Sequence, residues 1–425
     1  VRALVAVGAL CAGCSAGGAA APHPGPRDAS VDGGPADATT PPGESGSDDD
    51  GGDGSFVPIG YEGSIPYGGC AALGTCAPQP NVQLAGGQQS PAGIAIDDAS
   101  VYWVNVGSAP LDGGARPGSQ VMTCAKAGCN GSPTVLASGT WIGASKLGVD
   151  DSNVYWILTS SVLVCPLTGC VGDPQVVWSG TGPLYDIAVD ATGAYFTSTG
   201  GGQLVRCPGV DCDGGGIIFP GAYGGTYAPS AVALDATSVY FVDEATGKVF
   251  ACTKADCPDT VRVVASPTDA AVLAQLAVDD TNVYVTDIEQ GRILFAPKGG
   301  MQQALAVLVD NLVSPVGLAA DGTSVYYTDT GTPISGPLPD AAANLGRVAG
   351  CLAGGCGERG TAVAGFVNQP LDVAVDSTHV YWTDFGLSSN AAASDAGRVM
   401  AYAKRVAGSE TGSDSGTDGG TAGDE

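Results

Sequence analysis

Thiols, carboxylates and one imidazole are the groups in this chain that could do chemistry. Their spacing decides between catalysis, metal binding and cross-linking. Twelve of the 14 cysteines fall in local pairs. Four residues separate Cys124/Cys129, Cys165/Cys170, Cys207/Cys212, Cys252/Cys257 and Cys351/Cys356, and five separate Cys70 from Cys76. Zinc would need four ligands converging from two such pairs, but the pairs stand far apart in sequence and the chain has only 2 histidines. The stretch FAPKGGM carries Ala296 and Met301 where a further pair would stand. Loss of both members together is what mutual bonding predicts. All six pairs are therefore expected to be disulfides, which implies an oxidising compartment. Each closes a very small loop and contributes only about 2 kcal/mol by chain entropy.

The other groups do not form a recognisable catalytic set. His379 sits where other copies of a repeated turn carry Asn or Ser, and is read as an exposed turn residue. Asp48 to Asp50 form a charge run in a segment without large apolar residues, and Asp211 and Asp213 share one loop with too few further ligands for calcium. No catalytic residue, metal ligand set or cofactor is expected, and the reading leans against an enzyme.

Seven related phrases hold the chain together: IAIDDASVYWVN from Ile94, LGVDDSNVYWIL from Leu147, IAVDATGAYFTS from Ile187, VALDATSVYFVD from Val232, LAVDDTNVYVTD from Leu276, LAADGTSVYYTD from Leu318 and VAVDSTHVYWTD from Val373. Their spacing of 40–55 residues is that of a blade or solenoid unit. Each phrase reads as two short strands about a turn opened by Asp, where an Asx side chain bonds turn amides. Tyr recurs in the second strand of every copy, on a pleated surface that favours aromatic and β-branched residues. A third strand such as GKVFACTK and a fourth such as VRVVAS follow. Four antiparallel strands in seven units predict an all-β, seven-bladed β-propeller. Two residues before each turn Asp stands Ala or Gly (Ala95, Gly148, Ala188, Ala233, Ala277, Ala319, Ala374), as crowding near an axis requires. The seventh unit lacks a fourth strand, and NVQLAGG (81–87) is expected to supply it, removing the free edges of an open array.

The repeat resembles the YWTD propellers of lipoprotein-receptor ectodomains and, more loosely, NHL propellers. Tyr381-Trp382-Thr383-Asp384 matches literally, and Tyr326 to Asp329 and Tyr284 to Asp287 nearly so. The resemblance spans about residues 81–404. It departs in blade count, since those receptor propellers have six, and in the first three units, which end in Asn105, Leu158 and Ser198. It implies the shape and a binding role, with no ligand named.

Four residues before the turn Asp, at the start of each innermost strand, stand Gly93, Lys146, Asp186, Ala231, Gln275, Gly317 and Asp372. Lys146, Asp186, Gln275 and Asp372 are expected to ring the channel mouth. Trp141, Tyr227, Phe366 and Phe385 are read as loop aromatics on the same face and as candidate ligand contacts. Long connections at 105–120, 329–347 and 384–398 belong to units one, six and seven. In a closed ring these units are neighbours, so the connections are expected to form one wall.

The ends read differently. VRALVAVGALCAGC resembles a bacterial lipoprotein signal over residues 1–14, with Cys14 as the lipidated residue; Cys11 stands where Leu is usual. Residues 15–55 are mostly Gly, Pro, Ala, Ser and Asp and cannot bury enough apolar surface to order. A coil of that length spans roughly 35 Å, enough to hold a domain off a membrane. Residues 56–407 hold the propeller, with repeats from about 91, 142, 183, 229, 272, 315 and 370, and 408–425 form an acidic tail. The net charge of −27 disfavours nucleic acid as a partner. The expectation is a protein of the bacterial envelope, lipid-anchored outside the cytoplasm, that binds or scaffolds a protein, peptide or glycan. The alternative is a propeller enzyme of lyase or lactonase type with a metal in its central channel.

Overall fold

A computed structural model describes residues 81–107, 118–141, 143–180, 182–219, 227–331, 346–356, 360–367, 369–386 and 397–404. The signal-like segment with Cys14, the tether, the tail and most of the three long connections lie outside the described residues.

Strands gather into seven antiparallel sheets. Innermost to outermost, blade 1 runs from Pro91–Ile96 to Thr134–Gly139, blade 2 from Leu147–Val149 to Gln175–Ser179, and blade 3 from Leu184–Asp190 to Gly216–Phe219. Blade 4 runs from Pro229–Leu234 to Arg262–Ser266, blade 5 from Leu273–Val278 to Ala306–Val309, and blade 6 from Pro315–Ala320 to Thr361–Val367. Blade 7 starts at Pro370–Val375 and ends with Val82–Gln88 from the other end of the chain. That closing strand pairs Val82 with Ala401, Ala85 with Val399 and Gln88 with Gly397. It begins and ends one residue later than the sequence suggests.

Each innermost strand packs on those of its two neighbours, and blade 7 meets blade 1, so the ring is closed. The core is correspondingly divided into seven apolar layers, one between each adjacent pair of blades. Trp103, Trp156 and Trp382 of the repeated phrase lie in three of these layers with no exposed surface. Small residues serve the crowding predicted near the axis. A Cβ on Gly148 would stand 2.6 Å from the Val189 side chain of blade 3.

The wheel has two faces. On the turn face, each repeated Asp caps its own turn. Asp97 Oδ1 accepts from the Ala99 and Ser100 amides at 2.8 and 2.6 Å, and its Oδ2 accepts from the Tyr102 hydroxyl at 2.7 Å. The same Tyr-to-Asp bond occurs at Tyr155, Tyr240 and Tyr284, which explains the recurring Tyr. On the mouth face, the last two letters of the phrase join blades and loops. Thr383 Oγ1 accepts the Asp372 amide at 3.2 Å and donates to the Ala92 carbonyl of blade 1 at 2.5 Å. Thr328 does the same between blades 6 and 7, and Thr197 between blades 3 and 4. The closing Asp accepts from the loop that enters its own blade, as Asp329 does from Val313 and Ser314.

Among the described residues five of the six expected disulfides are present, Cys124–Cys129, Cys165–Cys170, Cys207–Cys212, Cys252–Cys257 and Cys351–Cys356. Each ties the end of a third strand to the turn that follows. The sixth expectation, a bond between Cys70 and Cys76, is not among these five. Cys70 and Cys76 precede the closing strand and both lie outside the described residues. Blade 5, which lacks the pair, uses another restraint. Its third-to-fourth connection adds a short parallel strand, Gln303–Ala304, to the outer edge of blade 4, making that sheet five-stranded. Arg262 of blade 4 also donates to the carbonyls of Lys298 and Gly300.

Candidate active site at the channel mouth

Of the three charged ring positions, Lys146 and Asp372 are in contact, and Asp186 lies near enough to feel both charges. Lys146 of blade 2 reaches past blade 1 to Asp372 of blade 7, with Nζ to Oδ1 at 2.9 Å. Gly93 makes this possible. A Cβ there would lie 2.4 Å from the Ser145 carbonyl oxygen and 2.9 Å from Lys146 Cα. Gly317 is equally necessary on the far side of Asp372, since its Cβ would meet Asp372 Cα at 3.0 Å. The two glycines let blades 1 and 6 crowd the ion pair without filling the channel.

Both carboxylates are fixed by backbone amides. Asp372 Oδ2 accepts from Ile94 of blade 1 at 3.1 Å. Asp186 Oδ2 accepts from Val232 of blade 4 at 3.0 Å and its Oδ1 from Ile187 at 2.9 Å. The Lys146 and Asp372 side chains retain 16% and 12% exposure, enough for contact with a molecule in the channel. Gln275 is buried, its amide bonded to Thr286 Oγ1 at 2.9 Å.

The electrostatics separate the members. Burial pushes the Asp186 carboxyl up to about 6, and the Asp372 charge adds to this against the pull of Lys146 and the Val232 amide. For Lys146 burial acts against the charged form, but Asp372 and Asp186 overcome it and hold the ammonium above its ordinary range. A carboxylate poised near neutrality beside a fixed ammonium is the arrangement of a general base and an electrostatic stabiliser. It does not fit a divalent cation. The carboxylate oxygens face an ammonium and backbone donors, and among the described residues no group of three or more His, Cys, Asp or Glu converges.

Two of the aromatic candidates pack on other rings. Trp141 packs on Trp156 with ring centroids 5.2 Å apart, and Tyr227 meets Phe219 edge-on at 4.8 Å. Phe366 belongs to the outermost strand of blade 6, Thr361–Val367, and not to a loop as expected. Phe385 follows the second strand of blade 7, its amide bonded to the Gln369 carbonyl. His379 opens the second strand of blade 7 on the turn face. It is half-buried, not exposed as expected, and lines a cavity of about 470 Å³ with Lys126, Asp376 and Tyr381.

Two features were missed from the sequence. Tyr185 stands close enough to Asp186 to feel its charge, and no repeat offset marks it. On the turn face, a lysine near the end of one blade's third strand pairs with the turn Asp of the preceding blade. Lys126 meets Asp376 at 2.6 Å and Lys298 meets Asp235 at 2.9 Å, with Lys254–Asp190 and Lys404–Asp321 alike. The signal was available: Lys126 and Lys254 each stand two residues after the first Cys of their pair, and Lys298 two after Ala296, where that Cys is lost.

No family model matches this chain, and no curated protein matches it. Solved propellers do. A streptogramin B lyase is 12% identical, covering 76% of this chain and 97% of that one at a TM-score of 0.52. Virginiamycin B lyase from Staphylococcus aureus is 13% identical, covering 76% and 98% at 0.53. The WD40 β-propeller domain of Doa1 is 14% identical, covering 75% and 95% at 0.51. The lean against an enzyme is corrected by these likenesses. It rested on a shortage of catalytic residue types, yet two of these propellers are lyases. At such identities the likeness is one of fold: the chain is a seven-bladed β-propeller closed by its own N-terminal strand.

Proposed function

We propose that this protein is a propeller enzyme of the lyase kind, acting at the channel mouth. The observation that carries the reading is the set of buried Asp186 and Asp372 with the partly exposed Lys146, placed at one offset of the repeat but not repeated around the ring. Asp186 acts as the base. It takes a proton from carbon, the C–H electron pair becomes a C=C bond, and the adjacent C–O bond breaks with its pair leaving on oxygen. Lys146 faces the negative charge that develops on that oxygen, where a fixed cation in a water-poor site acts most strongly. Asp372 holds Lys146 in place. The lyases of similar fold support this class of reaction, and the compounds named with them, virginiamycin B and quinupristin, are the first to try.

The full chain is incubated with these compounds and simple lactones, and products are weighed by mass spectrometry. Elimination opens a ring without changing mass, whereas hydrolysis adds one water. Expected are a ring-opened product of unchanged mass and its loss in D186N. Absence of conversion across the panel, or full activity in D186N, overturns the reading.

The surroundings proposed for this enzyme are extracytoplasmic, with Cys14 lipidated, residues 15–55 as the tether and a sixth disulfide between Cys70 and Cys76. Five disulfides are consistent with an oxidising compartment. Kinship with the YWTD repeat is supported by the shared tasks of its Thr and Asp in joining blades and loops.

A further inference from the structure

On the turn face, a cavity of about 470 Å³ opens where blades 7 and 1 meet, lined by Asp98, Lys126, Asp376, Thr378, His379 and Tyr381. A chain of hydrogen bonds in its wall decides what it offers a ligand. Asp376 Oδ1 accepts from the Thr378 hydroxyl at 2.7 Å, and the Thr378 oxygen stands 2.8 Å from His379 Nδ1. Burial opposes ionisation of Asp376, but the Lys126 ammonium, Thr378 and the turn amides outweigh it. The carboxylate therefore only accepts, and the one Thr378 proton goes to it. Thr378 is left as an acceptor, so His379 Nδ1 carries a proton and donates. In the neutral ring Nε2 then holds a lone pair.

The ring is half-buried and stacked on Tyr381, with centroids 5.7 Å apart, so its orientation is fixed while its edge stays accessible. A second acceptor shares the cavity. Asp98 is exposed there, and among the described residues no Lys or Arg pairs with it. Lys126 is bonded to Asp376 Oδ2 at 2.6 Å instead. Blade 2 offers no substitute, since Leu167 stands where other blades carry the lysine that reaches a neighbouring turn. With Lys126 and Asp376 neutralising each other, the cavity presents one uncompensated carboxylate and one lone pair.

We propose that this cavity binds a guanidinium group, as on an arginine side chain, between His379 Nε2 and the Asp98 carboxylate. The site is separate from the channel mouth and does not rest on the catalytic reading. A guanidinium offers five donors in a planar fork and keeps its charge at every ordinary pH, so one edge serves the lone pair and another the carboxylate. An ammonium is more strongly hydrated and gives up more on entering. A neutral urea would leave Asp98 without a counter-charge, and a carboxylate would meet Asp98 and be repelled. The net charge of −27 draws cations to the surface as a whole.

The probes are N-acetyl-argininamide and N-acetyl-citrullinamide, which differ only in guanidinium against urea. Binding to the full chain is followed by calorimetry and by ligand-observed NMR. The repeat itself supplies substitutions that its turns tolerate: Ser100, Ser238 and Ser324 stand at the His379 position, Ala191 and Ala236 at the Asp98 position, and Ala99 at the Thr378 position. The arginine compound is expected to bind about fivefold more tightly than the citrulline compound, and H379S and D98A should each weaken it about fivefold. Circular dichroism and thermal unfolding show that each variant remains folded. Equal binding of the two compounds, binding of neither, or an unchanged preference in both variants overturns the site. N-acetyl-lysinamide binding as tightly as the arginine compound overturns the assignment to guanidinium. Ring-nitrogen chemical shifts give a second readout, in a spectrum of only 2 histidines. With the imidazole neutral, His379 should carry its proton on Nδ1 and lose that preference in T378A; a proton on Nε2 in the unaltered protein overturns the proposal.

Discussion

The turn face and the mouth face both place aspartates around one axis, and they treat them in opposite ways. On the turn face each Asp has its own turn amides, and most add a Tyr hydroxyl or a lysine from the next blade. Burial works against ionisation there. At Asp376 the Lys126 ammonium, Thr378 and the turn amides outweigh it, and at Asp235 the Lys298 ammonium, turn amides and Tyr240 do so, holding both carboxyls well below the ordinary range. At the mouth, the Lys146 ammonium is paired with Asp372 and acts on Asp186 only from a distance, and burial wins, raising Asp186 to about 6. The contrast teaches that a repeated carboxylate with private partners serves the fold. An unrepeated one with too few partners is poised to exchange a proton.

Breaking the mouth should have the largest effect. D186N keeps the shape of the side chain and removes the base, so turnover should fall by about 10²- to 10⁴-fold, read from product formation with ring-opening substrates. Activity of the unaltered protein should rise with pH through about 6, the value at which Asp186 loses its proton. A flat profile from pH 5 to 7 would remove Asp186 from that role.

Next in size is the loss of a charge from the ring. K146M leaves Asp372 buried without its cation and should cost about 3 kcal/mol in urea unfolding. T383V tests the joint between blades 7 and 1. It orphans the Asp372 amide and the Ala92 carbonyl, for about 2 kcal/mol. The turn face should respond least: K126M removes a partly exposed ion pair worth about 1 kcal/mol or less.

The sign of the pH dependence of stability sharpens the comparison. Asp186 has a folded value above the ordinary carboxylate value of about 4, so its contribution is full below that value and is lost as pH rises through about 6. Asp235 and Asp376 are lowered, so theirs is full above about 4 and is lost on further acidification. Urea midpoints measured across pH should show the decline between 4 and 6 disappear in D186N, while D376N flattens only the acid limb.

Legibility followed the repeat. Whatever occurs once per blade was visible: Tyr102 and its copies, the turn Asp, the cysteine pairs within blades, and the ring positions Lys146, Asp186, Gln275 and Asp372. Cys70 and Cys76 stand outside the repeat, with five residues between them and not four, so their pairing rests on proximity in sequence alone. Blade 5 was half legible. The missing cysteines were plain, but the added strand at Gln303–Ala304 was not, because its partner lies in another blade. Tyr185 was invisible, since a residue that serves one blade junction carries no period.

The sequence alone determined the number of blades, the strands within each and the closure by the N-terminal strand. Those features depend on local pattern and on the need to leave no sheet edge unpaired. Tertiary structure alone decided that Lys146 chooses Asp372, 226 residues away, and that Asp186 is left with backbone amides as its partners. That choice depends on how closely blades 1 and 2 approach at Gly93 and on how far the channel excludes water, and neither distance nor desolvation is written in any single repeat.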